Sequence, residues 1–275
     1  FSYDYPEPDG EHPFSVTTEM ATCPWNPSNK LMLVGLQGKH VDVSDVPPSN
    51  VVFLIDVSGS MSDELRLVKQ SLDFLIEQLR PEDQVAIVVY AGASGLVLDS
   101  TPGFEKEKIR IAIQGLASGG STAGAAGIKL AYKVASENFI EDGNNRVVLI
   151  TDGDFNVGVS SDAALKKLIE QKRESGVFLS CLGVGQGNYQ DAKMEKLADN
   201  GNGNYAYIDR LSEAKRVFQE EFTSTMLTIA KDVKVQLEFN PAFVKRYRLL
   251  GYENRILAKE DFEDDKKDAG ELGSG

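Results

Sequence analysis

The fold of this chain is decided by the stretch VVFLIDVSGSMS at residues 51–62. Its first five residues are all apolar and form a run of strand length, which is typical of a strand covered on both faces. The run ends at a carboxylate, and a loop of serines and glycine leads directly into a helical pattern. A strand, a polar loop and a helix in this order indicate the start of an α/β unit.

The same alternation of apolar runs and amphipathic stretches continues from Asn50 to about Thr228. Further runs of strand length occur at 85–90, 147–150 and 178–182. Helical spacing of apolar residues begins at Leu65 and ends before Pro81. Further helices are predicted at 105–116, 123–138, 162–175, 190–199 and 212–228. We therefore predict an α/β fold with a doubly wound, mostly parallel sheet, whose ligand sites lie at the carboxyl ends of the strands.

The two flanks have a different pattern. Residues 233–239 alternate apolar and polar side chains, the signature of a strand with one face in water, and residues 14–17 and 30–34 are also strand-like. We therefore expect an α/β domain at 50–228 and a smaller β-rich unit formed by residues 1–49 together with 229–275.

Composition excludes some classes of partner. The chain has 42 acidic and 29 basic residues and a formal net charge of -13, so nucleic acid is a poor partner. No stretch approaches the roughly 20 apolar residues that a membrane-spanning helix needs, so membrane contact is expected only through an anchor outside this chain. Cys181 lies in a predicted strand and is expected to be a core side chain, although a bridge to Cys23 stays open.

Oxygen-bearing side chains follow the predicted strands on three separate loops. Asp56, Ser58 and Ser60 alternate on the first loop, Thr122 lies in GGSTAG at 119–124, and Asp152 follows the strand at 147–150. Loops at the carboxyl ends of parallel strands can meet over one edge of the sheet. Hard oxygen ligands select Mg²⁺, Ca²⁺ or Mn²⁺ over metals that favour Cys and His. Among these three ions, we expect Mg²⁺ to be the bound cation.

These residues resemble a known family. The stretch from Asp56 to Ser60 is similar to the D-x-S-x-S motif of von Willebrand factor type A (VWA) and integrin I domains, with Thr122 and Asp152 where that family has its further Thr and Asp. The resemblance implies a metal-ion-dependent adhesion site (MIDAS), with Ser58, Ser60 and Thr122 as direct ligands. Asp56 and Asp152 would act mainly through water and hydrogen bonds.

The resemblance also implies a function. An open coordination position would accept an Asp or Glu of a protein partner, so we expect a metal-dependent protein-binding or adhesion module and not an enzyme. The stretches FSVTTE at 14–19, CPWNP at 23–27, GQGNY at 185–189 and GYENR at 251–255 look like a bacterial family of envelope-associated, often lipid-anchored VWA proteins. This implies a location in the bacterial envelope or outside the cell, and a chain trimmed at both ends with an incomplete β-rich unit.

Other readings stay open. The serine-rich loop could be only a turn and a helix start, or a degenerate site without metal. Asp154 is expected to cap a loop and is left out of the site. A structural envelope module with a purely stabilising metal is the first alternative function. An Mg²⁺-dependent hydrolase is less favoured, because Ser58 occupies the position of the second carboxylate of D-x-D phosphatases, and His12 and His40 lie in the flank.

Overall fold

The computed structural model describes residues 3–41, 45–91, 94–120, 124–153, 162–185, 191–220, 228–230, 233–251, 258, 262 and 272–273. The chain divides into two compact units. One comprises Phe1–Val41 with Leu227–Gly275, and the other comprises Asp42–Met226.

Ten strands and six α-helices occur within the described residues. The strands are β1 (Phe14–Thr22), β2 (Lys30–Gly38), β3 (Ser49–Asp56), β4 (Gln84–Tyr90), β5 (Ser94–Pro102), β6 (Asn144–Thr151), β7 (Val177–Val184), β8 (Tyr205–Ile208), β9 (Thr228–Ala230) and β10 (Leu272–Gly273). The helices are α1 (Leu65–Gln78), α2 (Lys106–Gln114), α3 (Gly124–Glu137), α4 (Asp162–Glu174), α5 (Asp191–Asn200) and α6 (Leu211–Lys215). A 3₁₀ turn at Gly59–Ser62 precedes α1, and a π-helical turn at Arg216–Glu220 continues α6.

The larger unit is built on a six-stranded sheet with the order β5-β4-β3-β6-β7-β8. All neighbours are parallel except β4 and β5, which pair antiparallel at one edge. This confirms the predicted α/β fold with a mostly parallel sheet. The antiparallel edge strand β5 was not predicted.

Helices cover both faces of this sheet. Val51, Phe53 and Ile55 of β3 pack into one apolar cluster with side chains of α1, α2 and α6. Val52 and Leu54 point to the opposite face and pack with side chains of α3, α4 and α5. Because successive side chains of a strand point to opposite faces, the continuous apolar run is explained by burial on both sides.

The parallel strands end at one edge of the sheet, and this edge positions the candidate site. β3 ends at Asp56, β4 at Tyr90 and β6 at Thr151. Asp56 lies opposite Tyr90 in the register of β3 and β4, and the register of β3 with β6 runs to the pair Ile55 and Ile150. The chain therefore brings three polar side chains to neighbouring strand ends.

The smaller unit contains an antiparallel hairpin of β1 and β2 and the short antiparallel pair of β9 and β10. The hairpin confirms the strands predicted near 14–17 and 30–34. The strand predicted at 233–239 was wrong: residues 233–240 form no strand in the part of the chain that the structure describes. Alternation favours a strand, but a strand also needs a neighbour for its backbone hydrogen bonds, and the pattern alone does not supply one.

Both cysteines lie within the described residues. Cys23 and Cys181 are both buried and free. Among the described helices, none has the length and apolar character required to cross a membrane.

Gly127 sets how closely α3 approaches the sheet. A Cβ atom at this position would lie 2.8 Å from Cβ of Tyr90 and 3.1 Å from Cδ1 of Leu54. We predict that Gly127→Ala lowers the free energy of unfolding by about 1–3 kcal/mol, because overpacking outweighs the roughly 1 kcal/mol gain in helix propensity. Urea denaturation measures the difference.

The exposed residue Ala126 offers a matched control in the same helix. Ala126→Gly should cost about 1 kcal/mol through propensity alone. A Gly127→Ala variant more stable than the natural protein would contradict close packing of α3 on the sheet.

Candidate metal site

The loop after β3 is organised by its own side chains. Asp56 is fully buried, and its Oδ1 accepts a hydrogen bond of 2.8 Å from the backbone N–H of Ser58. An Asp commonly accepts from the N–H two residues further on, and this contact turns the chain out of the strand. The 3₁₀ turn at Gly59–Ser62 and then α1 follow, so a short polar sequence places Ser58 and Ser60 directly beside the strand end.

The hydroxyl groups of Ser58 and Ser60 lie side by side. Their Oγ atoms are 3.1 Å apart; Ser58 is buried, whereas Ser60 is exposed. Adjacent oxygen ligands of an octahedral ion with bonds of about 2.0–2.1 Å are separated by roughly 2.9 Å. The spacing of the two hydroxyl oxygens therefore fits two neighbouring ligands of one small divalent cation, and the exposed side of Ser60 leaves access from solvent.

The carboxylate of Asp56 is held at both oxygens. Oδ1 accepts from the Ser58 backbone, and Oδ2 accepts from the hydroxyl of Thr151 at 3.3 Å. Thr151 Oγ1 in turn accepts from the N–H of Gly153 at 3.2 Å. A carboxylate that already serves two protein donors is suited to orienting water and neighbouring ligands, which is the indirect role that the resemblance implies for Asp56.

A second loop packs against the first through its backbone. The N–H of Gly119 donates to the carbonyl of Val57 at 2.7 Å, and the N–H of Gly59 donates to the carbonyl of Gly120 at 3.2 Å. The chain leading to Thr122 is thereby fixed against the serine loop. Thr122 itself lies outside the described residues.

The third loop follows β6. Asp152 comes directly after Thr151, is half-buried, and lies close enough to Asp56 for its charge to act on that carboxyl group. Hydrogen bonds thus bring Asp56, Ser58 and Ser60 together. Asp152 is near enough for its charge to act on Asp56. Asp154 lies outside the described residues, and no group of three or more His, Cys, Asp or Glu forms a cation cluster among the residues that are described.

Thr151 and Tyr90 were missed by the sequence reasoning. Their signal is weak but present, since each is a polar residue at the end of an otherwise apolar strand run. Tyr90 is fully buried and faces Asp56 across the β3–β4 register.

Electrostatics at the site favour a bound cation. Burial raises the pKa of Asp56, the hydrogen bonds from Ser58 and from the Tyr90 side chain oppose this shift, and the nearby charge of Asp152 raises the pKa further. Burial, and then the charge of Asp56, raise the pKa of Tyr90 well above its ordinary value, so its hydroxyl stays protonated. A divalent cation would relieve the cost of two neighbouring carboxylates, because an opposite charge stabilises the ionised form.

A cavity of about 440 Å³ lies beside the start of α1. Its lining carries three acidic side chains, Asp63, Glu64 and Asp209, and one basic side chain, Arg66. The lining of this cavity is therefore net negative, and Asp63, one of its acidic residues, comes three residues after Ser60. Without a cation, this surface would repel an acidic partner.

Comparison with known families agrees with this architecture. The family model described as von Willebrand factor type A domain matches residues 50–221. Models described as von Willebrand factor and as Uncharacterized protein YfbK, C-terminal match residues 1–33 and 224–275. The chain belongs to the von Willebrand factor type A domain family, which confirms the predicted resemblance.

Particular relatives place the chain in a bacterial group of this family. It is similar to Uncharacterized protein YfbK of Escherichia coli (strain K12), with 49% identity over 265 residues that cover 96% of this chain and 46% of that protein. The chain spans less than half the length of the curated relatives it matches.

Solved structures share the fold. A von Willebrand factor type A structure from Catenulispora acidiphila has a TM-score of 0.58 at 16% identity, with 80% of this chain and 51% of that chain covered. The conserved hypothetical protein BatB from Bacteroides thetaiotaomicron has a TM-score of 0.53 at 22% identity, with 62% and 96% covered.

Replacing the buried carboxylate of Asp56 tests the electrostatics of the candidate site in metal-free protein. Because the pKa of Asp56 is raised above its ordinary 3.8, the native state binds more protons than the unfolded state between the two values. The contribution of this group to stability therefore falls as pH rises through that window and stays unfavourable above it. We predict that Asp56→Asn stabilises the chelator-treated protein at pH 7 by about 1 kcal/mol, which raises Tm by roughly 2–4 °C.

The matched control is Asp83, another buried carboxylate, which is bonded to Arg80 and to the N–H of Ser49. Asp83→Asn should lower Tm, because it removes one partner of a hydrogen-bonded ion pair. Calorimetry in chelator measures both variants. A lower Tm for Asp56→Asn would show that the ionised carboxylate stabilises the metal-free fold.

Proposed function

We propose that this chain is a metal-dependent protein-binding module whose divalent cation is held by Asp56, Ser58, Ser60, Thr122 and Asp152. The observation that carries the proposal is the pair of serine hydroxyls 3.1 Å apart beside the buried Asp56. The family membership of residues 50–221 supports it, because this resemblance implies a site of the same five residue types.

The proposed roles follow from charge and burial. Ser58, Ser60 and Thr122 are neutral ligands, whereas Asp56 and Asp152 act from behind them through hydrogen bonds and water. When bound, the cation would supply a largely uncompensated positive charge and an open position for an oxygen of the partner. Mg²⁺ is the expected ion, and Ca²⁺ and Mn²⁺ are the alternatives.

The proposed partner is a protein that presents an Asp or Glu. The acidic lining of the cavity at the start of α1, and the net charge of -13, make this approach unfavourable without the cation. Binding should therefore depend strictly on metal, and nucleic acid is not the expected partner. We place the protein in the bacterial envelope or outside the cell.

We also propose a division of the chain by role. Residues 50–228 would form the binding domain, and residues 1–49 with 229–275 would form the accessory β-rich unit. The two compact units of the structure and the extent of the matched family support this division.

Metal titration tests the site directly. We predict that isothermal titration of chelator-stripped protein with Mg²⁺, Ca²⁺ and Mn²⁺ gives saturable binding at one site. Ser58→Ala and Thr122→Ala should weaken binding at least about tenfold, since each removes a direct ligand. Ser71→Ala is the matched control, because Ser71 is also a buried serine but donates to the carbonyl of Leu67 within α1. Absence of binding by the natural protein would refute the proposal.

Partner capture separates the binding module from its alternatives. An envelope extract should yield a protein retained with Mg²⁺ and released by chelator, and Ser58→Ala should retain none of it. A metal-dependent rise in Tm without any such partner would favour the structural module. Mg²⁺-dependent turnover of a phosphate or ester substrate that is lost in Asp56→Ala would favour the hydrolase.

A further inference from the structure

Thr151 joins two of the loops that form the candidate site. It is the last residue of β6 and is fully buried. Its Oγ1 lies 3.3 Å from Oδ2 of Asp56 and 3.2 Å from the backbone N of Gly153. One hydroxyl therefore contacts both the carboxylate at the end of β3 and the backbone of the loop that carries Asp152.

The direction of these hydrogen bonds is fixed by chemistry. The N–H of Gly153 can only donate, so Thr151 Oγ1 accepts there. An ionised Asp56 can only accept, so in the contact of 3.3 Å the hydroxyl of Thr151 donates to its Oδ2. The result is a chain of bonds from backbone N–H to hydroxyl to carboxylate, in which each bond polarises the next.

This arrangement opposes the repulsion between two neighbouring acids. The charge of Asp152 acts against an ionised Asp56, yet both must stay close if they are to serve one cation. The Ser58 backbone stabilises Oδ1 from within the same loop. Thr151 stabilises Oδ2 from the neighbouring strand, so it also fixes the separation of the two loops.

We propose that Thr151 is a positioning residue, whose hydroxyl sets the affinity of the site for metal by holding the Asp56 carboxylate and the Asp152 loop in one arrangement. The proposal rests on the proposed metal site. It adds to that site a residue that would touch neither the cation nor the partner.

Two substitutions separate the hydroxyl from the shape of the side chain. Thr151→Val keeps the shape and removes the hydroxyl, whereas Thr151→Ser keeps the hydroxyl and removes a methyl group. We predict that the dissociation constant for Mg²⁺ rises about 10–100-fold in Thr151→Val and stays within about threefold of the natural value in Thr151→Ser. Calorimetric titration measures both, and Tm is measured on the same samples.

If Thr151 had a merely structural role, the Mg²⁺ affinities of the two variants would rank differently. If the Mg²⁺ affinity of the two variants follows their Tm and not the presence of the hydroxyl, the proposal is overturned. Thr101→Val is the matched control, because Thr101 is also a fully buried threonine but donates to the carbonyl of Asp99. Its affinity for Mg²⁺ should not change.

Amide hydrogen exchange in chelator gives a readout that needs no metal. The N–H groups of Gly153 and of Ser58 should both exchange faster in Thr151→Val than in the natural protein, and Thr151→Ser should resemble the natural protein. Because the Ser58 N–H donates to the Asp56 carboxylate, unchanged exchange at Ser58 in Thr151→Val would refute the link between the loops. If the natural protein fails to bind Mg²⁺, the proposed site fails, while this exchange experiment still decides whether the hydroxyl joins the two loops.

Discussion

The buried carboxylate of Asp56 is the constraint on which the arrangement of the site depends. It ends β3, a central strand covered on both faces, and it has no exposed surface. Removing a charge from water is costly unless hydrogen bonds or an opposite charge compensate. The Ser58 N–H and the Thr151 hydroxyl supply hydrogen bonds to this carboxylate. These bonds hold the loop after β3 and the end of β6 against Asp56.

Sheet topology explains why these donors meet. β3 lies between β4 and β6, and all three run parallel, so their last residues lie at the same edge. The close approach of α3 at Gly127 packs this helix directly on β3 and β4, and the backbone bonds of Gly119 and Gly120 hold the preceding loop against the serine loop. Local sequence at each strand end therefore becomes a single site only through the parallel order of the strands.

The sequence was sufficient for elements with strong local patterns. The apolar runs of β3, β4, β6 and β7 predict buried strands, and the motif from Asp56 to Ser60 predicts a polar loop at a strand end. The pairing of strands was harder to predict, because it depends on residues distant in sequence. The weak signal of Thr151 at the end of its apolar run gains its meaning only when β6 is known to lie beside β3. Residues 233–239 have a strand pattern without a paired neighbour among the described residues. The edge strand β5 was missed because Gly95 and Asp99 interrupt its apolar pattern.

The proposed division between neutral ligands and withdrawn carboxylates would link stability to binding. If Asp56 and Asp152 were direct ligands, they would neutralise most of the cation's charge, and little would remain to attract an acidic partner. Hydroxyl ligands would leave that charge available, and Asp56 is then buried behind them without a full counter-charge. Burial raises the pKa of Asp56, so its ionised form is disfavoured when no cation is bound. In the proposed site, the carboxylate that is disfavoured without metal would make the site respond to metal, and the acidic lining at the start of α1 would make partner binding depend on that response.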